Sequence, residues 1–269
     1  MNGKLHWMGV AVVCAGLVAF AQAAPPKTAH VVVKEGDALG VSTVSGLNAP
    51  FTDGNGKVGF VGSLADGQRF VWWNTGPVFF SNDALPDVLS GGESTMGIGD
   101  NGEFIYSPSV NGNDAVWGNS GVIVQKGDPA PDLPSGWNVT FASRPQMINN
   151  GTGYWISGFD DTGGTSSKGR VLYRQVPGAS PVAVLRSDDV INGETIARSS
   201  GVDFDYGVSG NGSSMINVLQ MATGSTFFFS SSGTKAARTI GSFTAASTAR
   251  AFCSMKGSSS AFTLGVIEL

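Results

Sequence analysis

This chain repeats itself, and the repeat length limits the folds open to it. A short apolar phrase ending in aspartate recurs as Val31-Val32-Val33-Lys34-Glu35-Gly36-Asp37, Val78-Phe79-Phe80-Ser81-Asn82-Asp83, Val122-Ile123-Val124-Gln125-Lys126-Gly127-Asp128 and Val182-Ala183-Val184-Leu185-Arg186-Ser187-Asp188. Between these phrases lies a turn ending in glycine: Asp53-Gly54-Asn55-Gly56, Asp100-Asn101-Gly102, Asn149-Asn150-Gly151, Gly210-Asn211-Gly212 and, more weakly, Lys256-Gly257. Short apolar strands at a period of roughly 40–50 residues point to equivalent small sheets set around a common axis.

The second complete unit shows how one repeat is built. Thr95–Ile98, Glu103–Ser107, Asp114–Trp117 and Gly121–Gln125 read as four short strands. Asp100-Asn101-Gly102 and Gly118-Asn119-Ser120-Gly121 supply the turn residues that join them, and Asn-Gly predicts a two-residue type I′ hairpin. The third unit runs from about Gln146 to Arg186, and the fourth begins near Phe204. A fifth ends with Ala261–Leu269, without an outer strand of its own, while Ala29–Lys34 is an outer strand without inner ones. Pairing the two would close a ring and remove the exposed sheet edges. The expected fold is therefore all-β, a five-bladed β-propeller closed by the N- and C-terminal strands; a β-sandwich or an open array of hairpins is the alternative.

Composition supports many short strands and tight turns. Glycine occupies 39 of 269 positions and charged residues only 13%, against averages of about 7% and 25%. Residues 1–24 read as a signal peptide: Lys4 is followed by an apolar stretch from Met8 to Phe20 and by Ala21-Gln22-Ala23, an A-x-A cleavage pattern. That stretch is too short to span a bilayer, so no transmembrane segment is expected. Residues 25–269 then form a single repeat domain, secreted to the periplasm or beyond. The formal charge of −4 carries no basic cluster, which argues against nucleic-acid partners. Cys253 is the single cysteine after cleavage, so stability must come from packing and sheet pairing without an internal disulfide.

The pairing of Val32-Val33-Lys34-Glu35-Gly36-Asp37 with Asn55-Gly56-Lys57-Val58-Gly59-Phe60 resembles a group of secreted bacterial repeat proteins of unknown function. Their phrases read V-V-x-E-G-D and I-N-x-x-G-x-V-x-F. Gln125-Lys126-Gly127-Asp128-Pro129-Ala130-Pro131 and Ile148-Asn149-Asn150-Gly151 carry the same two phrases again. The resemblance implies a propeller-like fold and brings no catalytic residues.

Histidine is scarce, with His6 in the signal segment and His30 alone after it. No catalytic residue, metal site or cofactor is expected from a set so lacking in histidine and cysteine. Asp37, Asp83, Asp128 and Asp188 recur once per repeat and read as structural turn acids that accept backbone N–H groups. Trp72, Trp117, Tyr173 and Phe229 occupy matching third-strand positions and read as packing between blades.

Three segments do not repeat and are the better functional candidates. They are the loop Phe159–Ser167 with Asp160 and Asp161, the connection Asp128–Pro145 with Asp132 and Trp137, and the segment Asp188–Tyr206 with Asp203, Asp205 and Tyr206. In four-stranded blades the inter-blade links and the loops between second and third strands emerge on one rim, where function tends to gather. The tentative ligand-binding set is thus Trp137, Asp160, Asp161, Asp203, Asp205 and Tyr206. The first functional expectation is an exported, non-enzymatic binding or surface-assembly protein that holds a glycan or a protein partner. The alternatives are a two-carboxylate glycoside hydrolase and a self-associating subunit of an extracellular filament or matrix.

Overall fold

Alternating apolar residues in short runs bury both faces of small sheets, and this chain does so four times over. A computed structural model describes residues 31–48, 50–52, 57–91, 96–231 and 237–243. Within them lie four larger antiparallel sheets, two of six strands and two of four, besides a two-stranded ribbon at Val190–Thr195. Each larger sheet holds four strands that pair in sequence order, and short strands at Ala38–Leu39, Phe51–Thr52, Leu89–Ser90 and Ser109–Val110 extend the first two. Blade 1 comprises β1 (Ser42–Leu47), β2 (Val58–Leu64), β3 (Arg69–Trp73) and β4 (Gly76–Phe80). Blade 2 comprises β5 (Met96–Ile98), β6 (Phe104–Tyr106), β7 (Asn113–Gly118) and β8 (Gly121–Gln125). Blade 3 comprises β9 (Asn138–Met147), β10 (Gly153–Asp160), β11 (Gly169–Gln175) and β12 (Val182–Arg186). Blade 4 comprises β13 (Phe204–Val208), β14 (Met215–Gln220), β15 (Thr226–Ser231) and β16 (Ala237–Phe243). The protein is all-β and its stacking of sheets is propeller-like.

Period-two alternation sends successive side chains to opposite neighbours. On β6, Phe104 and Tyr106 join the cluster shared with blade 1, while Ile105 joins the one shared with blade 3. On β10, Trp155 packs toward blade 2 while Tyr154 and Ile156 pack toward blade 4. Blade 1 likewise turns Val61, Val71 and Trp73 to blade 2, and gathers Val44, Phe60, Leu64, Phe70 and Trp72 on its other face. Where the inner strands of blades 2 and 3 meet, the sheets approach too closely for a side chain. A Cβ at Gly97 would lie 2.2 Å from the backbone nitrogen of Met147.

The third-strand aromatics mark an irregularity that the sequence did not announce. In every blade the register between third and fourth strands shifts immediately before that residue, at Val71/Trp72, Val116/Trp117, Leu172/Tyr173 and Phe228/Phe229. All four aromatics are buried, and Trp117, Tyr173 and Phe229 sit in the clusters shared with the preceding blade. Such a bulge increases local twist and re-aims a side chain, here repeated once per blade.

The inner hairpin turns differ from the type I′ expectation. Gly102, Gly151 and Gly212 have φ of 88°, 81° and 69°, whereas Asn101, Asn150 and Asn211 are not among the positive-φ residues. Gly102 N–H bonds Gly99 C=O at 3.0 Å and Gly151 N–H bonds Ile148 C=O at 2.9 Å. These are longer loops built on a type I turn, with left-handed glycine closing the hairpin. The turns also bond one another from blade to blade: Asp100 N–H donates to Asn149 C=O at 2.8 Å, and Asn149 N–H to Gly210 C=O at 2.7 Å. Lys57 extends the chain into blade 1 by donating from Nζ to Asp100 C=O at 3.1 Å. We call this edge the turn rim.

Two further expectations are corrected or left aside. Val31 to Lys34, expected within an outer strand, form no strand. The connection Asp128–Pro145 is not loop throughout, because β9 already begins at Asn138. The expected signal segment, His30, the turn expected at Asp53–Gly56, Cys253 and the expected closing strand Ala261–Leu269 lie outside the described residues.

Candidate functional site

Aspartates ending the outer-strand phrases each close a turn with their own carboxylate. The Lys34, Phe80 and Gln125 N–H groups donate to Oδ2 of Asp37, Asp83 and Asp128 at 3.0, 2.9 and 2.8 Å. The fourth phrase is shifted by one residue from the sequence reading. Arg186 N–H donates to Oδ2 of Asp189 at 2.8 Å, so Asp189, and not Asp188, is the equivalent turn acid. Asp188 instead takes the place of the phrase glycine: its φ of 74° matches 89° at Gly36 and 96° at Gly127. Aspartate tolerates that left-handed conformation, which is why the glycine-to-aspartate change hid the register. Three of the four turns, at Asp37, Asp128 and Asp189, are then pinned to the chain that follows. Val44, Val139 and Ile196 N–H groups donate to the carbonyls of Asp37, Asp128 and Asp189 at 2.9 Å.

The non-repeating segments meet on the rim opposite the hairpin turns, which we call the loop rim. Trp137 stacks on Phe159 with ring centroids 4.8 Å apart and planes at 21°. The guanidinium of Arg198 lies 5.9 Å from the Trp137 centroid and 5.7 Å from that of Phe159, and Arg186 stands 5.8 Å from Trp137. Arg198 also forms ion pairs with Asp161 and with Asp188. Trp137 is thus half-buried packing between insertions, and not the open aromatic platform expected of a ligand residue.

Asp160 and Tyr206 are likewise committed to the fold. Asp160 is buried; its Oδ1 accepts Thr162 N–H at 2.8 Å and Thr162 Oγ1–H at 2.6 Å, and its Oδ2 accepts Ser166 N–H at 3.2 Å. These bonds, those from Thr162 foremost, hold its carboxyl below the ordinary aspartate range. Tyr206 is buried with its Oη 2.6 Å from the Arg144 carbonyl and 2.8 Å from the Tyr154 carbonyl, and burial pushes its phenol well upward.

Asp203 and Asp205 reach a different place. Asp205 forms an ion pair with Arg144, and Asp203 accepts Thr226 Oγ1–H at 3.0 Å. Arg144 projects from an irregular stretch of β9, where the register shifts between Ser143 and Gln146 and Arg144 has φ 55°. Beside it Arg170 lies over the Phe141 ring at 5.5 Å and donates from Nη2 to Ser200 C=O at 2.7 Å. Ser200 belongs to an excursion of the blade 4 inner strand: Ala197 N–H and Asp203 C=O both bond the backbone of Gln220, so residues 198–202 loop out between them. Burial, and next Arg144, lower the Arg170 pKa, while Asp205 and Asp203 act in the other direction.

Arg144 and Arg170 border an open cleft of about 540 Å³ between blades 2 and 3. Ser107, Ser109 and Asp114 of blade 2 face Phe141, Ser143, Arg144 and Arg170 of blade 3. A second cleft of about 350 Å³ lies on the same rim, between Asp66–Gln68 and the link around Asp87–Leu89. Among the described residues no cluster of three or more His, Cys, Asp or Glu side chains is arranged to hold a metal ion. Reading by sequence overlooked Arg144, Arg170 and Arg198; arginines at the insertions of a chain with only 16 basic residues were the signal available.

No known family profile matches the chain, and no curated protein matches it. Among solved structures it is similar to the WD40 β-propeller domain of Doa1, at 12% identity over 68% of this chain and 49% of that one, with a TM-score of 0.26. This chain thus spans about half the length of that one.

Proposed function

We propose that this protein is an exported, non-enzymatic binding protein whose loop rim holds its ligand, a glycan in the reading the cleft favours over a protein partner. The observation that carries the reading is the division of labour between rims. The turn rim is taken up by hairpins bonded to one another, whereas the loop rim gathers the irregular insertions and both clefts. Hydrolysis by two carboxylates is not favoured. Asp37, Asp83 and Asp128 cap turns, Asp160 closes its own loop, Asp203 is bonded by Thr226 and Asp205 by Arg144. A general acid needs a raised pKa, and that of Asp160 moves the other way.

The proposal includes a fifth blade, closing the ring against the apolar face of blade 1 that carries Phe60, Phe70 and Trp72. Truncation after Phe243 is then expected to abolish cooperative unfolding; an unchanged denaturation curve would exclude closure by the C-terminal residues. Export is tested by N-terminal sequencing of the protein recovered outside the cytoplasm, with cleavage expected near Ala24. Binding is tested by placing tryptophan on each rim, Ser109→Trp on the loop rim and Asn101→Trp on the turn rim, and screening both on saccharide arrays and in pull-downs. Loss in the first variant alone supports the reading, and loss in the second alone overturns it.

A further inference from the structure

The cleft between blades 2 and 3 allows the ligand class to be narrowed, on the premise that the loop rim binds a glycan. We infer that it accepts a neutral saccharide, read through its hydroxyl groups, in preference to an acidic one. The charges around the cleft are offset: of its two guanidinium groups, that of Arg144 is in direct contact with the Asp205 carboxylate. Asp114 adds an exposed carboxylate on the opposite wall. A bound anion would approach the carboxylates of Asp114 and Asp205, and a bound cation two guanidinium groups. A sugar hydroxyl both donates and accepts, so it satisfies either kind of wall without adding charge.

The remaining lining fits the same class. Ser107, Ser109 and Ser143 contribute hydroxyls, Ser107 from a buried position. Arg170 Nε is buried with no hydrogen-bond partner among the described residues, a donor that a ligand oxygen can satisfy. The one aromatic in the lining, Phe141, is covered by the Arg170 guanidinium. Both arginines are held before any ligand arrives, Arg144 by Asp205 and Arg170 by the Ser200 carbonyl. Fixed donors lose less freedom on binding than mobile ones.

The test is calorimetric titration of the chain without its signal segment. The probes are neutral hexasaccharides of glucose, mannose, galactose and xylose, set against a hexamannuronate. The expected result is binding of at least one neutral hexasaccharide, with an affinity that changes less than about twofold between 50 and 500 mM salt. Arg170→Gln and Asp114→Asn are each expected to weaken it by about tenfold or more. Should Arg170→Gln fail to fold, Ser109→Trp obstructs the same cleft from blade 2 and is expected to abolish binding. Tighter binding of hexamannuronate, falling steeply with salt, would overturn the neutral class and leave a rim-binding protein intact. Binding of neither kind would overturn the inference, while the paired rim variants in pull-downs judge the broader reading independently.

Discussion

The two rims of this protein differ in how much their links depend on side chains. Along the turn rim the contacts are mostly backbone to backbone, from Asp100 to Asn149 and from Asn149 to Gly210. Across the loop rim the backbone bonds of the Asp128 and Asp189 turns are joined by contacts through side chains. Asp132 accepts Ala183 N–H at 3.0 Å, Asn138 donates to Gly163 C=O at 2.9 Å, and Arg198 bridges Asp161 and Asp188. Backbone contacts need only the right chain path and small residues, so they can recur unchanged in blade after blade. Side-chain contacts depend on identity, so each link can diverge alone. A repeat protein can therefore vary one rim while the other keeps the blades in register.

The comparison breaks most decisively at Gly97. A Cβ there collides with Met147 backbone, so Gly97→Ala is expected to destabilise by about 3 kcal/mol or more, measured by urea denaturation. A loss under 1 kcal/mol would mean that the blades part easily near the turn rim. Tyr206→Phe comes next. Removing the hydroxyl leaves the Arg144 and Tyr154 carbonyls without that donor, at a cost of about 1–2 kcal/mol, with binding retained if Tyr206 is purely structural.

The shifted register is sharpened by a pair of variants. Asp189→Ala removes the cap on Arg186 N–H and is expected to cost about 1 kcal/mol. Asp188→Gly replaces an exposed ion-pair partner at a left-handed position and is expected to remain within about 0.5 kcal/mol of the parent. The reverse ranking would restore Asp188 as the turn acid. The smallest effect concerns acid. Because the folded carboxyl of Asp160 titrates below its unfolded value, its contribution is present above about pH 4 and fades as pH falls through the folded pKa. The stability gap between parent and Asp160→Asn should narrow over that acid limb and stay constant near neutrality.

Much of the architecture was legible from residues because it rests on local rules. Alternation of apolar side chains marked the strands, glycine-ending turns marked the inner hairpins, and recurring aspartates marked the blade links. The aromatic column was readable for the same reason: Trp117, Tyr173 and Phe229 occupy equivalent third-strand positions and bury large rings against the preceding blade. Turn type was less legible. Asn101-Gly102 is compatible with two hairpin geometries, and contact between neighbouring turns accompanies the one in which glycine alone is left-handed.

The candidate site was hardly legible, since its members are far apart in the chain. Trp137 reads as exposed until Phe159 is seen to cover it, and Asp160 as a ligand until Thr162 and Ser166 are seen to bind it. Arg170 belongs to a third strand and gives no local sign that it reaches an inner-strand residue, Phe141, and an inter-blade excursion at Ser200. Sequence alone determined the all-β class, the repeat and the residues of its turns, because periodicity and backbone preference act between near neighbours. Only the tertiary structure decided which insertions meet and which charges cancel, because those depend on distances set by the stacking of one blade on the next.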